Sequence, residues 1–178
     1  MSYYTGKGDD GRSGLLGAGR RVKDDPIFNA IGEVDELNSA IGVALYYTRD
    51  TMVRKQLKTV QNELFIIGAN LASPKKKIDQ ANLGPEAVAR LEGSIEDMGR
   101  RIPRLKKFVI PGGCEAAAHM HLARSVARRA ERSVIAASGS LKIDNSVKVY
   151  MNRLSSYLFV AALYLNYTEG VAEAHPTY

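Results

Sequence analysis

Apolar positions recur at spacings of three and four along most of this chain, the period of α-helices that bury one face. Ile27, Ile31, Val34, Ile41 and Leu45 form the first stripe. It follows Asp24-Asp25-Pro26, where Asp suits an N-cap and Pro the first helical position. Val53, Leu57, Val60, Leu64, Ile67 and Leu71 form a bundle seam and predict a second helix from Thr51 to Ser73, stopped at Ser73-Pro74. Gly84-Pro85-Glu86 opens a third, with Val88, Leu91, Ile95, Met98 and Ile102 as its stripe and Pro103 as its end. Phe108, Val109 and Ile110 then make a short apolar connection into the turn Pro111-Gly112-Gly113. The fourth helix spans Glu115 to Ala137. Its stripe (Ala116, Met120, Ala123, Ala127, Ala130, Val134) is alanine-rich and admits a neighbour closely. Asp144 or Asn145 caps the fifth, whose seam is Val147, Met151, Leu154, Leu158, Ala161 and Leu165, with Gly170 at its end. The expected fold is all-α: a five-helix bundle, four-helix-bundle-like and up-down, with a glycine-rich N-terminal arm. The expected domain is single, with residues 1–23 as arm, 24–170 as bundle and 171–178 as tail.

The polar positions carry the candidate chemistry. Gly6, Gly8, Gly11, Gly14, Gly17 and Gly19 exclude a regular helix in the arm. Thr5, Asp9 and Ser13 interleave with them, and Leu15, Leu16 and Val22 give the arm apolar groups to dock with. Such a loop is either a flexible terminus or a cradle of backbone N–H groups for an anion. It is not a Walker loop, since no Lys-Ser/Thr follows the glycines in the required way. On the fourth helix, Arg124, Arg128 and Arg132 are four apart and therefore only about 40° apart around the axis. His121 and Glu131 share their sector, whereas Arg129 falls nearer the far side and reads as solvated or interfacial. The row lies beside the alanine stripe rather than opposite it. It is either a solvated basic face or a site for phosphate or carboxylate, which the forked guanidinium suits. Asn152 lies on a flank of the fifth helix from which it can face the row, or it is an ordinary boundary residue. Asn38 falls inside the first stripe and needs a partner there. Asp35, on the flank of that stripe, is a boundary residue or the partner of an arginine on another helix or subunit. Phe108 reads on its own as core.

Composition narrows the partners. A chain of 178 residues with a net charge of +6 and a pI of about 9.4 favours anionic ligands. The single cysteine, Cys114, excludes an internal disulfide and any cysteine-cluster metal site, and fits a cytoplasmic setting. No apolar run is long enough for a membrane span. Aromatic residues do not interleave with the arginines, which argues against nucleic acid as the partner. Lys75, Lys76 and Lys77 read as a solvated basic loop, with a substrate lid as the alternative.

The arm TGKGDDGRSGLLG, then GEVDELNSAIG, FVIPGG, HLARSVARRAER and YMNRLSSYLF resemble, in that order, the signature blocks of the PduO-type ATP:cob(I)alamin adenosyltransferases. The resemblance spans nearly the whole chain. Ser13 stands where the family pattern has Thr and keeps the hydroxyl; Arg12 replaces a small polar residue. The resemblance implies a homotrimer with active sites between subunits. It implies transfer of the 5′-deoxyadenosyl group of ATP to cob(I)alamin, with release of triphosphate. By position, Thr5, Gly6, Gly8, Asp9, Gly11, Ser13 and Lys23 would wrap the ATP phosphates. Arg128, Glu131, Arg132 and Asn152 would hold ATP and its Mg²⁺, with Glu131 toward the metal. Asp35 would pair with Arg128 of a neighbouring subunit. Phe108 would press the corrinoid face from which the lower axial ligand leaves. A cob(II)alamin reductase and an adenosylcobalamin-dependent enzyme are the implied protein partners.

That chemistry needs no protein nucleophile, because cobalt(I) attacks the ribose 5′ carbon itself. It does need cations and N–H donors on a strongly anionic leaving group. The arginine row and the arm offer both, and the chain carries no convincing Ser-His-Asp or Cys-His set.

Overall fold

The computed structural model describes residues 3–73, 83–139 and 142–177. Among them five helices carry the fold: α1 (Pro26–Tyr47), α2 (Thr51–Ala72), α3 (Pro85–Arg101), α4 (Glu115–Ala137) and α5 (Asn145–Thr168). An antiparallel hairpin precedes them, β1 (Arg12–Leu15) and β2 (Gly19–Val22), with Arg12 opposite Val22 and Leu15 opposite Gly19. Residues 12–22 of the arm thus form a short two-stranded element.

Each helix starts where its local chemistry stops the preceding chain. Asp25, not Asp24, caps α1, its carboxylate accepting from the Ile27 N–H at 3.0 Å. Asp50 does the same for α2 through the Val53 N–H at 2.8 Å. α2 ends at Ala72, one residue before the expected Ser73. Asp144 takes the N-cap position of α5. Gly170, at a φ of +70°, turns the chain just past the last residue of α5, in a left-handed conformation open to glycine. The Lys75–Lys77 loop lies outside the described residues.

Packing does not follow chain order. α1 lies chiefly against α4, α4 against α5, α5 against α3, and α1 against α2. The closest pairings thus link α2 to α1, α1 to α4, α4 to α5 and α5 to α3, and α4 lies between α1 and α5. Its whole stripe is buried, and the small side chains let it serve both α1 and α5. Fully buried seam residues such as Leu57 and Leu158 each contribute about 1.5–3 kcal/mol by burial. Tyr150 of α5 donates its hydroxyl to Glu63 of α2 at 2.7 Å, and Arg90 of α3 ion-pairs with the same carboxylate. Burial, then the Glu63 charge, pushes the Tyr150 hydroxyl far up, so it stays a donor.

The structure refines two expectations and bears out a third. Of the α3 stripe, Leu91 and Met98 are buried, and Val88, Ile95 and Ile102 are partly buried and packed against the core. Leu15 is buried, whereas Leu16 and Val22 are exposed. Leu16 docks by its backbone, donating N–H to the Ala72 carbonyl at 2.8 Å. Asn38 finds its partner in Gln61 of α2. Asn38 Nδ2 donates to the Gln61 carbonyl and Gln61 Nε2 to the Asn38 carbonyl, both at 3.3 Å. Among the described residues no helix is long and apolar enough to cross a membrane.

Candidate active site

The arginine row borders a cavity of about 430 Å³. Phe108, Val109 and Pro111 of the α3–α4 connection line one side. His121, Arg124 and Arg128 of α4 and Ser155, Ser156, Phe159 and Val160 of α5 line the rest. Phe108 and Arg128, twenty positions apart in sequence, thus share one space. Phe108 is 79% exposed, so it stands at the rim and is not core. Ser155 and Phe159 follow Asn152 by three and seven, so they share its face of α5. That spacing was the signal for them.

His121 is only 2% exposed, and neither ring nitrogen has a partner among the described residues. Burial, then the charge of Arg124, holds its imidazole below the usual value, so it is neutral near pH 7. The Arg124 guanidinium carbon lies 5.9 Å from the centre of the Phe159 ring, in reach of a cation–π contact. Burial and the nearby Arg128 lower the Arg124 pKa, yet a guanidinium stays charged. This end of the row is a desolvated positive charge over an apolar wall.

The other end is polar and exposed. Asn152 does face the row: its Nδ2 donates to Glu131 Oε1 at 2.9 Å. Asn152 Oδ1 accepts from Arg153 Nη1 at 3.0 Å, and Arg153 Nε meets Glu92 at 2.7 Å. Arg132 Nη1 donates to the Arg128 carbonyl at 3.0 Å. Arg129 departs from a solvated reading. It ion-pairs with Glu33 at 2.6 Å and with Glu36, both on α1, and these bonds raise its pKa. Its partners lie more than ninety positions away, where helical spacing carries no information. Among the described residues no group of three or more His, Cys, Asp or Glu is placed to hold a metal ion. The carboxylate beside the row is Glu131, oriented by Asn152.

The arm gathers its own set. The Asp9 N–H donates to the Gly6 carbonyl at 3.2 Å, the Gly11 N–H to Gly8 at 3.3 Å and the Lys23 N–H to Gly11 at 2.9 Å. Thr5 Oγ1 accepts from the Lys7 N–H at 3.4 Å. A Cβ on Gly8 would lie 3.2 Å from Lys23 Nζ, so the missing side chain leaves room for that ammonium. Ser13 faces Arg21 in the hairpin. Arg20 braces the loop through Asp10 at 2.6 Å, the Arg12 carbonyl at 3.2 Å and the Lys7 carbonyl. The bond from Arg20 holds the Asp10 carboxyl below its usual range. Thr5, Gly6, Gly8, Asp9, Gly11, Ser13 and Lys23 therefore belong to one braced unit, fastened at the end of α2. Asp35 is exposed on α1, and among the described residues it forms no ion pair with Arg128 within the chain.

Sequence reasoning missed Asn166 and His175. Asn166 is 1% exposed, and its amide bonds the Cys114 N–H, the Gly112 carbonyl and Glu173. His175 bonds the Phe108 carbonyl. Partners on the backbone leave no trace in residue type.

Known proteins are similar to this chain over nearly its whole length. A Bacillus subtilis (strain 168) corrinoid adenosyltransferase is 41% identical over 177 residues, covering 97% of this chain and 91% of the relative. Corrinoid adenosyltransferase MMAB of Mus musculus is 37% identical over 177 residues, covering 96% of this chain and 75% of the relative. Among solved structures, a phenylalanine-to-alanine variant of the PduO-type ATP:corrinoid adenosyltransferase from Lactobacillus reuteri, complexed with cobalamin and ATP, superposes with a TM-score of 0.92. It is 32% identical, and the match covers 99% of this chain and 100% of that one. An arginine-to-lysine variant of the enzyme from that organism, complexed with ATP, gives 0.90 at 33% identity, covering 98% and 99%. The sequence profile of cobalamin adenosyltransferases matches residues 3–165, and the chain belongs to that family.

Proposed function

We propose that this corrinoid adenosyltransferase works at the cavity beneath Phe108, with ATP toward the polar end of the arginine row and the corrinoid toward the apolar wall. The observation that carries this placement is the shared cavity itself, which sets Phe108, Arg124 and Arg128 around one space. Cob(I)alamin is the nucleophile in an in-line displacement at the ribose 5′ carbon. The cobalt–carbon bond forms, the C5′–O bond breaks, and triphosphate leaves with the bonding electrons. Adenosylcobalamin is the product.

Each protein group has a task that its surroundings suit. Arg128 and Arg132 stabilise charge on the departing triphosphate. The arm, residues 1–23, wraps the phosphates with backbone N–H groups, the hydroxyls of Thr5 and Ser13 and the Lys23 ammonium; Gly6, Gly8, Asp9 and Gly11 shape it. Magnesium bound with ATP supplies further charge neutralisation at the phosphates. Glu131, oriented by Asn152, would hold that ion, which needs few protein ligands when phosphates supply the rest. Phe108 occupies the lower face of the corrinoid and keeps the axial ligand away, which makes cobalt(II) easier to reduce. An apolar ring fits, since it fills the space without offering a ligand.

The arm is fastened to α2 whereas the row lies on α4, and Asp35 and Arg128 are both exposed and unjoined within the chain. These features support a site completed by a second copy, with Asp35 pairing with the neighbour's Arg128 in a homotrimer. A cob(II)alamin reductase and an adenosylcobalamin-dependent enzyme are the expected protein partners, in a cytoplasmic setting. The test is product analysis with ATP, Mg²⁺ and chemically reduced cobalamin. We expect adenosylcobalamin and triphosphate in equal amounts. Pyrophosphate plus phosphate as primary products, or no transfer, would overturn the proposal.

A further inference from the structure

The ring of Phe108 is 79% exposed, so its own packing does not fix it. The backbone around it is fixed from outside the loop. After Gly170 the chain turns back, with the Val171 N–H donating to the Asn166 carbonyl at 2.8 Å. The tail then runs beside the connection that bears Phe108. The Ile110 N–H donates to the Ala174 carbonyl at 2.8 Å. His175 Nδ1 lies 2.7 Å from the Phe108 carbonyl. A carbonyl only accepts, so Nδ1 carries the proton in this bond. Beyond the turn, Asn166 Nδ2 donates to the Gly112 carbonyl at 3.2 Å and to Glu173 at 3.1 Å, and its Oδ1 accepts from the Cys114 N–H at 2.9 Å. Bonds to the tail and to Asn166 of α5 therefore hold the backbone from the Phe108 carbonyl to the start of α4.

We propose that the C-terminal tail, through His175, and the buried Asn166 are positioning groups for Phe108. They set the ring's place at the cavity rim without touching the corrinoid. The inference rests on the reading of Phe108 as the group that keeps the lower ligand away. That displacement matters only for cob(II)alamin, because cob(I)alamin already lacks the ligand. A loosened loop should therefore hurt one reaction and spare the other.

The experiment uses the full-length enzyme, His175→Ala, a chain ending at Glu173, and Phe108→Ala alongside. Rates are measured from cob(II)alamin with reductant and from chemically prepared cob(I)alamin. The electron paramagnetic resonance signal of four-coordinate cob(II)alamin is recorded with ATP present. In His175→Ala and the shortened chain, the cob(II)alamin rate should fall about tenfold or more, the loss expected when a group is held about 1 Å out of place. The four-coordinate signal should fall with it, while the cob(I)alamin rate stays close to that of the unaltered enzyme. His175→Asn, whose amide nitrogen can replace Nδ1, should restore both. If both tail variants keep the signal and the rate ratio while Phe108→Ala loses them, the positioning role is overturned and the reading of Phe108 stands. If Phe108→Ala lowers both rates equally, that reading falls and this inference with it.

Discussion

Gly113 shows how much one residue can be asked to do. Its φ is +101°, and a Cβ there would overlap the amide of Asn166. Gly113→Ala combines backbone strain with a clash against a buried side chain, and should lower the unfolding free energy by about 1–3 kcal/mol. A denaturant midpoint equal to that of the unaltered chain would contradict this. His121 gives a second residue-scale expectation. Folding lowers its pKa, so the unfolded chain takes up the proton more readily. Its neutral form is accommodated fully above the ordinary imidazole value of 6.5, and stability is lost as pH falls below that value. Melting temperature should drop between about pH 7 and pH 5 more steeply than in His121→Gln; parallel profiles would refute it. Residue type and spacing allowed Asn152 to face the row but equally to be a boundary residue; its bond to Glu131 decides it. They also set Arg129 apart from Arg128, about 100° around the helix, but could not name its partners. Those partners, Glu33 and Glu36 of α1, are far away in sequence and are met only in the fold.

At the scale of the element, α4 carries arginines of two kinds: Arg129, ion-paired to α1, and Arg132, placed by the proposal at the triphosphate. Arg132→Ala should reduce adenosyl transfer by about tenfold to a hundredfold, as for loss of a charge-stabilising donor, with the melting curve unmoved. Arg129→Ala should do the reverse, lowering the melting temperature through its lost ion pairs to α1 while turnover is retained. Near-normal turnover in folded Arg132→Ala would remove that residue from the proposed site. The five helices were legible because each repeats the helical period over four turns or more, between capping or breaking residues. The hairpin was not. Its strands are four residues long and glycine interrupts their alternation, so the ladder and the Arg20 bonds hold what patterning does not announce.

At the scale of the whole molecule, the period tells that a helix has an apolar face but not which face meets it. The pairings of α1 with α4 and of α5 with α3 could not be read for that reason. On the proposed trimer, Asp35→Ala should shift the assembly toward smaller species in light scattering after size-exclusion chromatography, and lower activity with it. An intact trimer with full activity would remove Asp35 from the interface.

The alanine stripe of α4 has a bearing on how this fold can be probed. Ala116, Ala123, Ala127 and Ala130 are buried with almost nothing left to truncate. An alanine scan is blind along the most central seam of the bundle, and would report its neighbours as the structural residues by default. Only enlarging changes question that seam, one methyl group at a time. They act by prising helices apart rather than by opening holes. The tolerance of α4 is thus one-sided: its axis is set by a size ceiling, and sequence drift there can go in almost no direction except toward glycine.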